Sequence, residues 1–182
     1  IGERLYSESF ELLRELVNNA YDADATEVRV TITPEQVTVE DNGSGMDIEG
    51  LRQYFNIGSP EKRMRRTSPK FGRDRVGEFG IGKFASLSAA RYFEVWTKRG
   101  LFQATVTFDK AAWEEAGESW SLPLRYETPE AQRSDGTRVI LRQLTKSFDI
   151  TEVEARLIET IPIRTPNFSV FLNGKPLAAP RA

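Results

Sequence analysis

Three polar residues at one-turn spacing could do chemistry on an otherwise apolar helix near the start of the chain. Glu15, Asn19 and Asp22 would place a carboxylate, an amide and a second carboxylate on one face of a helix. Apolar residues form a second stripe at core-packing spacing: Phe10, Leu12, Leu13, Leu16, Val17 and Ala20. The polar stripe is typical either of a solvated face or of a site that points into a cavity, and the segments that follow favour the cavity.

A second polar group stands at the end of a predicted strand. The alternating residues 37–40 lead into Asp41, which is followed by Gly43, Gly45 and Met46. Glycine suits a backbone that takes positive φ or approaches a ligand closely, and a strand-end Asp can accept a hydrogen bond from an exocyclic amine. Taken alone, the Asp-Asn-Gly run is equally typical of an ordinary turn.

A glycine-rich loop is the third feature, and its candidate phosphate-binding residues are Gly80, Ile81, Gly82 and Lys83. Small residues that favour a helix follow the loop, and backbone amides at a helix N-terminus attract anions. The loop lacks the Gly-Lys-Ser/Thr ending of a P-loop, and it does not follow the first strand of a βαβ unit as a Rossmann fingerprint does. The sequence therefore predicts a phosphate cradle of a different class.

In their order and spacing, the three motifs resemble the N-box and the two glycine boxes of the GHKL ATPase superfamily. This superfamily includes gyrase B-type topoisomerases, heat-shock-ninety-type chaperones, histidine kinases and MutL. The resemblance covers residues 7–142 and is closest to the chaperone, MutL and microrchidia versions. It implies an α+β fold of the Bergerat type, a two-layer α/β sandwich in which helices cover one face of a mixed, mostly antiparallel sheet.

The resemblance also implies roles for the polar helix stripe. Glu15 matches the general base that activates the attacking water, and histidine kinases usually lack this glutamate. Asn19 matches the oxygen ligand of a magnesium ion that bridges the phosphates of ATP, which is the coordination that Mg²⁺ prefers. Asp22 is expected to shape the water network near the general base, Glu15. Hydrolysis is therefore favoured over phosphoryl transfer to a protein histidine.

At the other end of the implied site, Asp41 matches the carboxylate that accepts a hydrogen bond from the adenine amine. Gly45 and Met46 match residues that line the base pocket. Thr137 resembles the threonine that joins Asp41 at adenine through water, although in isolation the Gly136-Thr137 pair is simply a turn into an alternating strand.

A basic segment separates the two glycine boxes. From residue 61 to residue 75, seven Lys or Arg face two acids, so this stretch carries a formal +5 and the rest of the chain −7. Its glycines favour a flexible ATP lid over residues 56–79, in which Asn56 and Lys62 match phosphate-reaching residues of the chaperones. The alternative is a basic surface loop that binds nucleic acid or faces solvent.

Two residues depart from the chaperone pattern. Lys83 stands where the chaperones carry an aromatic residue, so a phosphate contact by its ammonium group is a hypothesis separate from the loop amides. Thr26 stands where they carry a phosphate-reaching lysine, whereas MutL-like sequences share this threonine.

Composition sets the remaining limits. The 182 residues, 39% of them hydrophobic, suffice for a single domain over 1–182. The chain has neither an apolar run of eighteen residues nor a signal-like start, which predicts a cytoplasmic protein without membrane association. Because it contains no His and no Cys, acid–base chemistry and metal binding fall to carboxylates and amides.

The start at Ile1 and the end shortly after Leu177 suggest a domain excised from a longer protein. A downstream domain is then expected to complete the γ-phosphate site, and an ATP-dependent homodimer is a further candidate partner. The favoured function is a magnesium-dependent ATPase whose nucleotide state drives lid closure and domain or subunit rearrangement. The alternatives are a nucleotide-gated binding module, a histidine-kinase-like phosphotransfer domain, and a nucleic-acid-binding domain that uses the basic loop.

Periodicity and turn signals predict the elements that must position these groups. The predicted helices cover 7–23, 48–55, 82–90, 109–117 and 151–161, the last with a capping box of Thr151 and Glu154. The predicted strands cover 27–33, 36–40, 92–98, 101–108, 119–126 and 137–144, and a final strand at 168–172 runs into an Asn-Gly turn.

Overall fold

A computed structural model describes seven parts of the chain, which are residues 2–55, 69–71, 73, 90–116, 123–145, 147–160 and 165–177. At residues 2–9, 113 and 116 it describes the backbone alone. The helices in these parts are α1 (Gly2–Asp22), α2 (Ile48–Tyr54), α3 (Lys110–Ala116) and α4 (Ile150–Thr160). The strands are β1 (Glu27–Ile32), β2 (Gln36–Asp41), β3 (Ala90–Arg99), β4 (Phe102–Asp109), β5 (Leu124–Tyr126), β6 (Gly136–Leu144), β7 (Ser169–Leu172) and β8 (Lys175–Pro176).

The strands form one eight-stranded sheet in the order β5-β4-β3-β6-β2-β1-β7-β8. Strands β1 and β7 run parallel, and the other six described pairs are antiparallel. Alternate residues of the central strands join the apolar stripes of α1 and α4 in one core cluster, because successive side chains of a strand point to opposite faces. The predicted α+β fold with a mixed, mostly antiparallel sheet is confirmed.

Three predicted boundaries are wrong in instructive ways. Ala90 begins β3 and does not end a helix, and Asp109 ends β4 and caps α3 by accepting a hydrogen bond from the amide of Ala111 at 3.0 Å. Helix α4 begins at Ile150 because Asp149, a stronger N-cap than threonine, accepts a hydrogen bond from the Glu152 amide at 3.0 Å. The capping box at Thr151 is therefore not used.

Other predictions agree with the structure or lie outside the described residues. The Asn-Gly turn joins β7 to β8, with positive φ at both Asn173 and Gly174. Of the strand predicted at 119–126, the part at 124–126 is a strand, and most of the helix predicted at 82–90 is not described. Within the described ranges, no helix combines the length and apolar character needed to cross a bilayer.

Candidate nucleotide site

A row of three polar side chains crosses three neighbouring strands. Asp41, the last residue of β2, lies opposite Thr137 on β6, and Thr97 on β3 lies opposite Thr137 from the other side. Residues directly opposite in a sheet share a face, so the carboxylate and both hydroxyl groups point the same way. The two threonine hydroxyl oxygens are 3.1 Å apart, and Thr97 Oγ1 accepts a hydrogen bond from the Met46 amide at 2.9 Å.

Burial and backbone hydrogen bonds act on the pKa of Asp41 in opposite directions. The amide of Gly43 donates to Asp41 Oδ1 at 2.8 Å. Burial raises the pKa of Asp41 to about 7, and the backbone N–H groups of Gly43 and Thr137 act in the opposite direction by stabilising the charged carboxylate. A group with this pKa is partly protonated at neutral pH, so small changes in its surroundings decide whether it carries charge.

Two glycines allow the turn after β2 to pack against the sheet. Gly45 has φ +67°, and a Cβ there would collide with the carbonyl oxygen of Lys98. A Cβ at Gly136 would collide with the carbonyl oxygen of Asp41. These glycines therefore serve close backbone packing, which fixes where Asp41 and Met46 stand.

Asn42 fastens the same turn to the residues that lead from α1 into β1. Its Oδ1 accepts hydrogen bonds from the amides of Thr26 and Glu27, both at 2.9 Å, and its Nδ2 donates to Thr26 Oγ1 at 2.8 Å. The Ser44 amide donates to the carbonyl of Ala23 at 2.9 Å. The polar stripe of α1 and the carboxylate of β2 are thereby brought to the same side of the molecule, and Thr26 is a structural residue of this junction.

A cavity of about 220 Å³ opens between α1, α2 and the strand ends. Six residues of the predicted site line it: Asn19, Asp22, Asp41, Gly45, Met46 and Thr137. Pro69, from the predicted lid, also lines it, and so do three residues that were not predicted, Gln53 and Tyr54 on α2 and Arg99 at the end of β3. Their signal was weak, since none belongs to a recognisable motif.

Glu15 is not among the lining residues. It is 5% exposed, lies one turn before Asn19 on α1, and its Oε1 is 3.5 Å from the Arg14 guanidinium. Burial, followed by the negative charges of Asp41 and Glu15, raises the pKa of Tyr54. Both carboxylates are therefore close enough to the Tyr54 hydroxyl to disfavour its ionisation.

The donor set on α1 fits a magnesium ion that is shared with phosphates. The side chain of Asn19 lines the cavity, and its amide oxygen is of the ligand type that Mg²⁺ prefers. The described residues contain no group of three or more acidic side chains that could hold a metal alone. Mg²⁺ commonly takes one or two protein oxygens and completes its shell with phosphates and water.

Several predicted residues lie outside the described part of the chain: Asn56, Lys62, Gly80, Ile81, Gly82 and Lys83. Of the segment predicted to be a lid, the structure describes residues 69–71 and Arg73. Arg73 is 6% exposed, so its charge does not belong to the basic surface loop that was the alternative to the lid.

The fold and the site together define an α+β domain with a ligand cavity between a polar helix stripe and a strand-end carboxylate. The chain belongs to the family described as histidine kinase-, DNA gyrase B-, and HSP90-like ATPases, whose sequence model matches residues 6–144. The superfamily predicted from the three motifs is therefore confirmed.

Curated relatives come from more than one branch. HgiDII of Herpetosiphon aurantiacus, provisionally assigned as a type II restriction enzyme, is 32% identical over 97% of this chain and 30% of its own length. The chaperone protein HtpG of Rhodopseudomonas palustris strain HaA2 is 27% identical over 75% of this chain and 25% of its own. The DNA mismatch repair protein MutL of Crocosphaera subtropica is 58% identical over 22% of this chain and 8% of its own.

A solved structure supports the fold. The MutL ATPase domain of Aquifex aeolicus complexed with ADP matches with a TM-score of 0.54 at 19% identity, over 93% of this chain and 61% of that one. This chain covers at most 30% of the length of each of the three curated relatives. It therefore corresponds to one part of such proteins.

Proposed function

We propose that this chain binds ATP with magnesium and hydrolyses it as the nucleotide-binding domain of a larger protein. The observation that carries the proposal is the row of Asp41, Thr137 and Thr97 beside the cavity. A carboxylate can accept a hydrogen bond from the adenine amine, and a neighbouring hydroxyl can either donate or accept. The row therefore offers the base both kinds of partner in fixed positions.

At the phosphate end, the proposal gives each residue of the α1 stripe a separate task. Asn19 would hold Mg²⁺, which when bound neutralises phosphate charge and orients the nucleotide. Glu15 would orient the attacking water and take its proton, and its burial beside the cavity supports a position shielded from bulk solvent. Asp22 lines the cavity and would order the water around the general base, Glu15.

The remaining contacts to phosphate are proposed from the family resemblance. The lid at 56–79 would supply Asn56 and Lys62, and the second glycine box would supply the backbone amides at 80–82 together with Lys83. Arg99 is the one cation among the described residues that line the cavity, and we include it as a contact to the anionic nucleotide. Closure of the lid, a downstream domain or a second copy would complete the site, in a cytoplasmic protein.

A role in acting on DNA is the second candidate for the whole protein. It is favoured by the match to HgiDII, which covers 97% of the chain, whereas the match to HtpG of Rhodopseudomonas palustris strain HaA2 covers 75%. Chaperone-like remodelling is the competing candidate. Turnover of the longer protein stimulated by duplex DNA and not by an unfolded polypeptide would support the first, and the reverse pattern would support the second.

Calorimetric titration with a non-hydrolysable ATP analogue and Mg²⁺ tests the nucleotide site. Wild type should bind, and Asp41→Asn should lose binding because its side chain no longer accepts from the amine with a full charge. Glu40→Gln is the matched control, since Glu40 is the preceding residue of the same strand and pairs with Arg133 on the other face. Absence of binding by wild type would refute the proposed function for this chain.

A further inference from the structure

Asp24 holds two backbone amides of a segment that is distant in sequence. The residue is 5% exposed, and its two carboxylate oxygens accept from the amides of Lys70 at 2.7 Å and Phe71 at 3.0 Å. It has φ +61°, a conformation that residues other than glycine adopt rarely and that persists only when the surroundings enforce it. The side chain is kept at this position despite the unfavourable backbone.

Arg73 fixes the same segment from the other side. Its guanidinium donates to the carbonyls of Tyr21 at 2.8 Å and Ala25 at 2.9 Å, around the end of α1, and to the carbonyl of Asn167 at 3.2 Å. A planar guanidinium presents its donors in a fixed fork. One side chain therefore ties this part of the chain both to the end of α1 and to the approach to β7.

Three aromatic rings surround the same guanidinium. Its carbon lies 4.5 Å from the ring centroids of Tyr21 and Phe71 and 5.4 Å from that of Phe168. Such contacts strengthen when the cation is shielded from water. We refer to Asp24, Arg73 and the amides of Lys70 and Phe71 as the clamp.

The clamp ends at the wall of the nucleotide cavity. Pro69 lines the cavity and is bonded directly to Lys70, whereas neither Asp24 nor Arg73 lines it. On the other side of the clamp, Asp22 and Ala23 of the same lining stand next to Asp24 in the chain. Both attachments of the clamp therefore lead to residues that would face a bound nucleotide.

We propose that Asp24 and Arg73 are positioning residues that hold Pro69 in the wall of the cavity and thereby set the affinity for nucleotide. This inference rests on the proposed function. The two side chains act through the backbone of residues 69–71, and they do not touch the ligand. Loss of the clamp releases this wall, so that only a fraction of the folded molecules presents a complete cavity, and the apparent dissociation constant rises by the inverse of that fraction.

Replacing Asp24 by glycine separates this role from general stability. Asp24→Gly removes both acceptors but relieves the positive φ, because glycine adopts that conformation readily. We expect about tenfold weaker binding of ADP with Mg²⁺ in calorimetry, which corresponds to a wall in place in about one tenth of the folded molecules. Hydrogen exchange at the amides of Lys70 and Phe71 should become faster in the same variant.

Gln143→Gly is the matched control. Gln143 is an exposed residue with φ +53° on β6 and is not among the cavity lining. The control therefore relieves a similar strain without touching the clamp, and its affinity for ADP should equal that of wild type. A folded Asp24→Gly protein that binds ADP as wild type does would overturn the inference, even if its thermal stability changed.

Two further variants decide the case in which Asp24→Gly does not fold. Asp24→Asn keeps one acceptor and tolerates positive φ, and Arg73→Lys keeps the charge but loses the fork. Weaker ADP binding in either variant, measured on protein whose circular dichroism matches wild type, supports the clamp, and unchanged binding in both overturns it. Wild type that binds no nucleotide refutes the proposed function first and removes the basis of the inference with it.

Discussion

The two ends of the cavity are built on different principles. At the base end, Asp41 and Thr137 are held by strand pairing, and backbone amides bond both the Asp41 carboxylate and the Thr97 hydroxyl. At the phosphate end, Glu15, Asn19 and Asp22 project from a single helix, and the partners that the resemblance supplies lie outside the described residues. The first end is fixed by the sheet, and under the proposed function the second is completed only when nucleotide is bound.

This difference indicates where recognition and turnover are controlled. A rigid base end can bind nucleotide before the phosphate end is complete, since its groups need no rearrangement to meet the ligand. The phosphate end can then respond to residues brought by the lid, a downstream domain or a second copy. Changes at the base end should therefore alter affinity, and changes at the phosphate end should alter turnover.

The largest expected effect is on the rigid end. Gly45→Ala forces a side chain into φ +67° and against the Lys98 carbonyl, which should destabilise the domain by about 2 to 6 kcal/mol through strain and overpacking and abolish analogue binding. Thermal unfolding and calorimetry measure the two losses. Gly100→Ala is the matched control, because Gly100 has φ +58° with nothing within 4 Å of an added Cβ, so the variant carries a similar positive-φ strain without the collision.

A change at the phosphate end should separate turnover from affinity. Glu15→Ala in the longer protein should bind the ATP analogue as wild type does and lose turnover by about a hundredfold to ten-thousandfold, the contribution of a general base. Phosphate release and calorimetry give the two quantities. Glu11→Ala, on the same helix but exposed, should change neither, and equal turnover by Glu15→Ala would remove the assigned base.

A smaller effect tests whether the hydroxyl row is a unit. Thr97→Val leaves the Met46 amide without its acceptor and Thr137 without its neighbour, which should cost about 1 to 3 kcal/mol of stability and weaken nucleotide binding. Thr97→Ser keeps the hydroxyl and should retain affinity. If valine and serine behave alike, the methyl packing of Thr97 matters and its hydrogen bonds do not.

Much of this arrangement was predictable from sequence because it rests on local patterns. The helical stripe, the strand ending at Asp41 and the Gly136-Thr137 turn each carry their own signal, and the superfamily pattern orders them. Thr97 carries no such signal, since its role depends on which strand pairs with β6.

The clamp could not be predicted for the same reason. Arg73 looks like one more charge in a basic segment, and its burial depends on rings at Tyr21 and Phe168 that are distant in the chain. Asp24 looks like a solvated acid of a helix end. Long-range partners of single polar residues are set by tertiary packing, to which sequence periodicity does not respond.

The pH dependence of binding sharpens the comparison further, because the carboxylate of Asp41 at the base end has a pKa of about 7. The ionised form of Asp41 accepts from the adenine amine, so affinity should rise with pH and level off above 7, with about tenfold weaker binding at pH 6. Adenosine is the suitable ligand, since it has no phosphate that titrates in this range. Calorimetry of wild type at a series of pH values measures this rise, and Asp41→Asn should bind no adenosine at any of these pH values.

The same group has the opposite effect on folding. Its pKa is raised from 3.8 to about 7 in the folded protein, so the folded state holds this proton more tightly than the unfolded state does. The contribution of Asp41 to the free energy of unfolding is therefore largest below pH 3.8 and is lost as pH rises to about 7. Denaturant titrations of wild type against Asp41→Asn should show this difference. If the Asp41-dependent parts of stability and affinity both rose with pH, the assignment of the base contact to Asp41 would be contradicted. One carboxylate that is desolvated in the free protein and ionised in the complex must move the two in opposite directions.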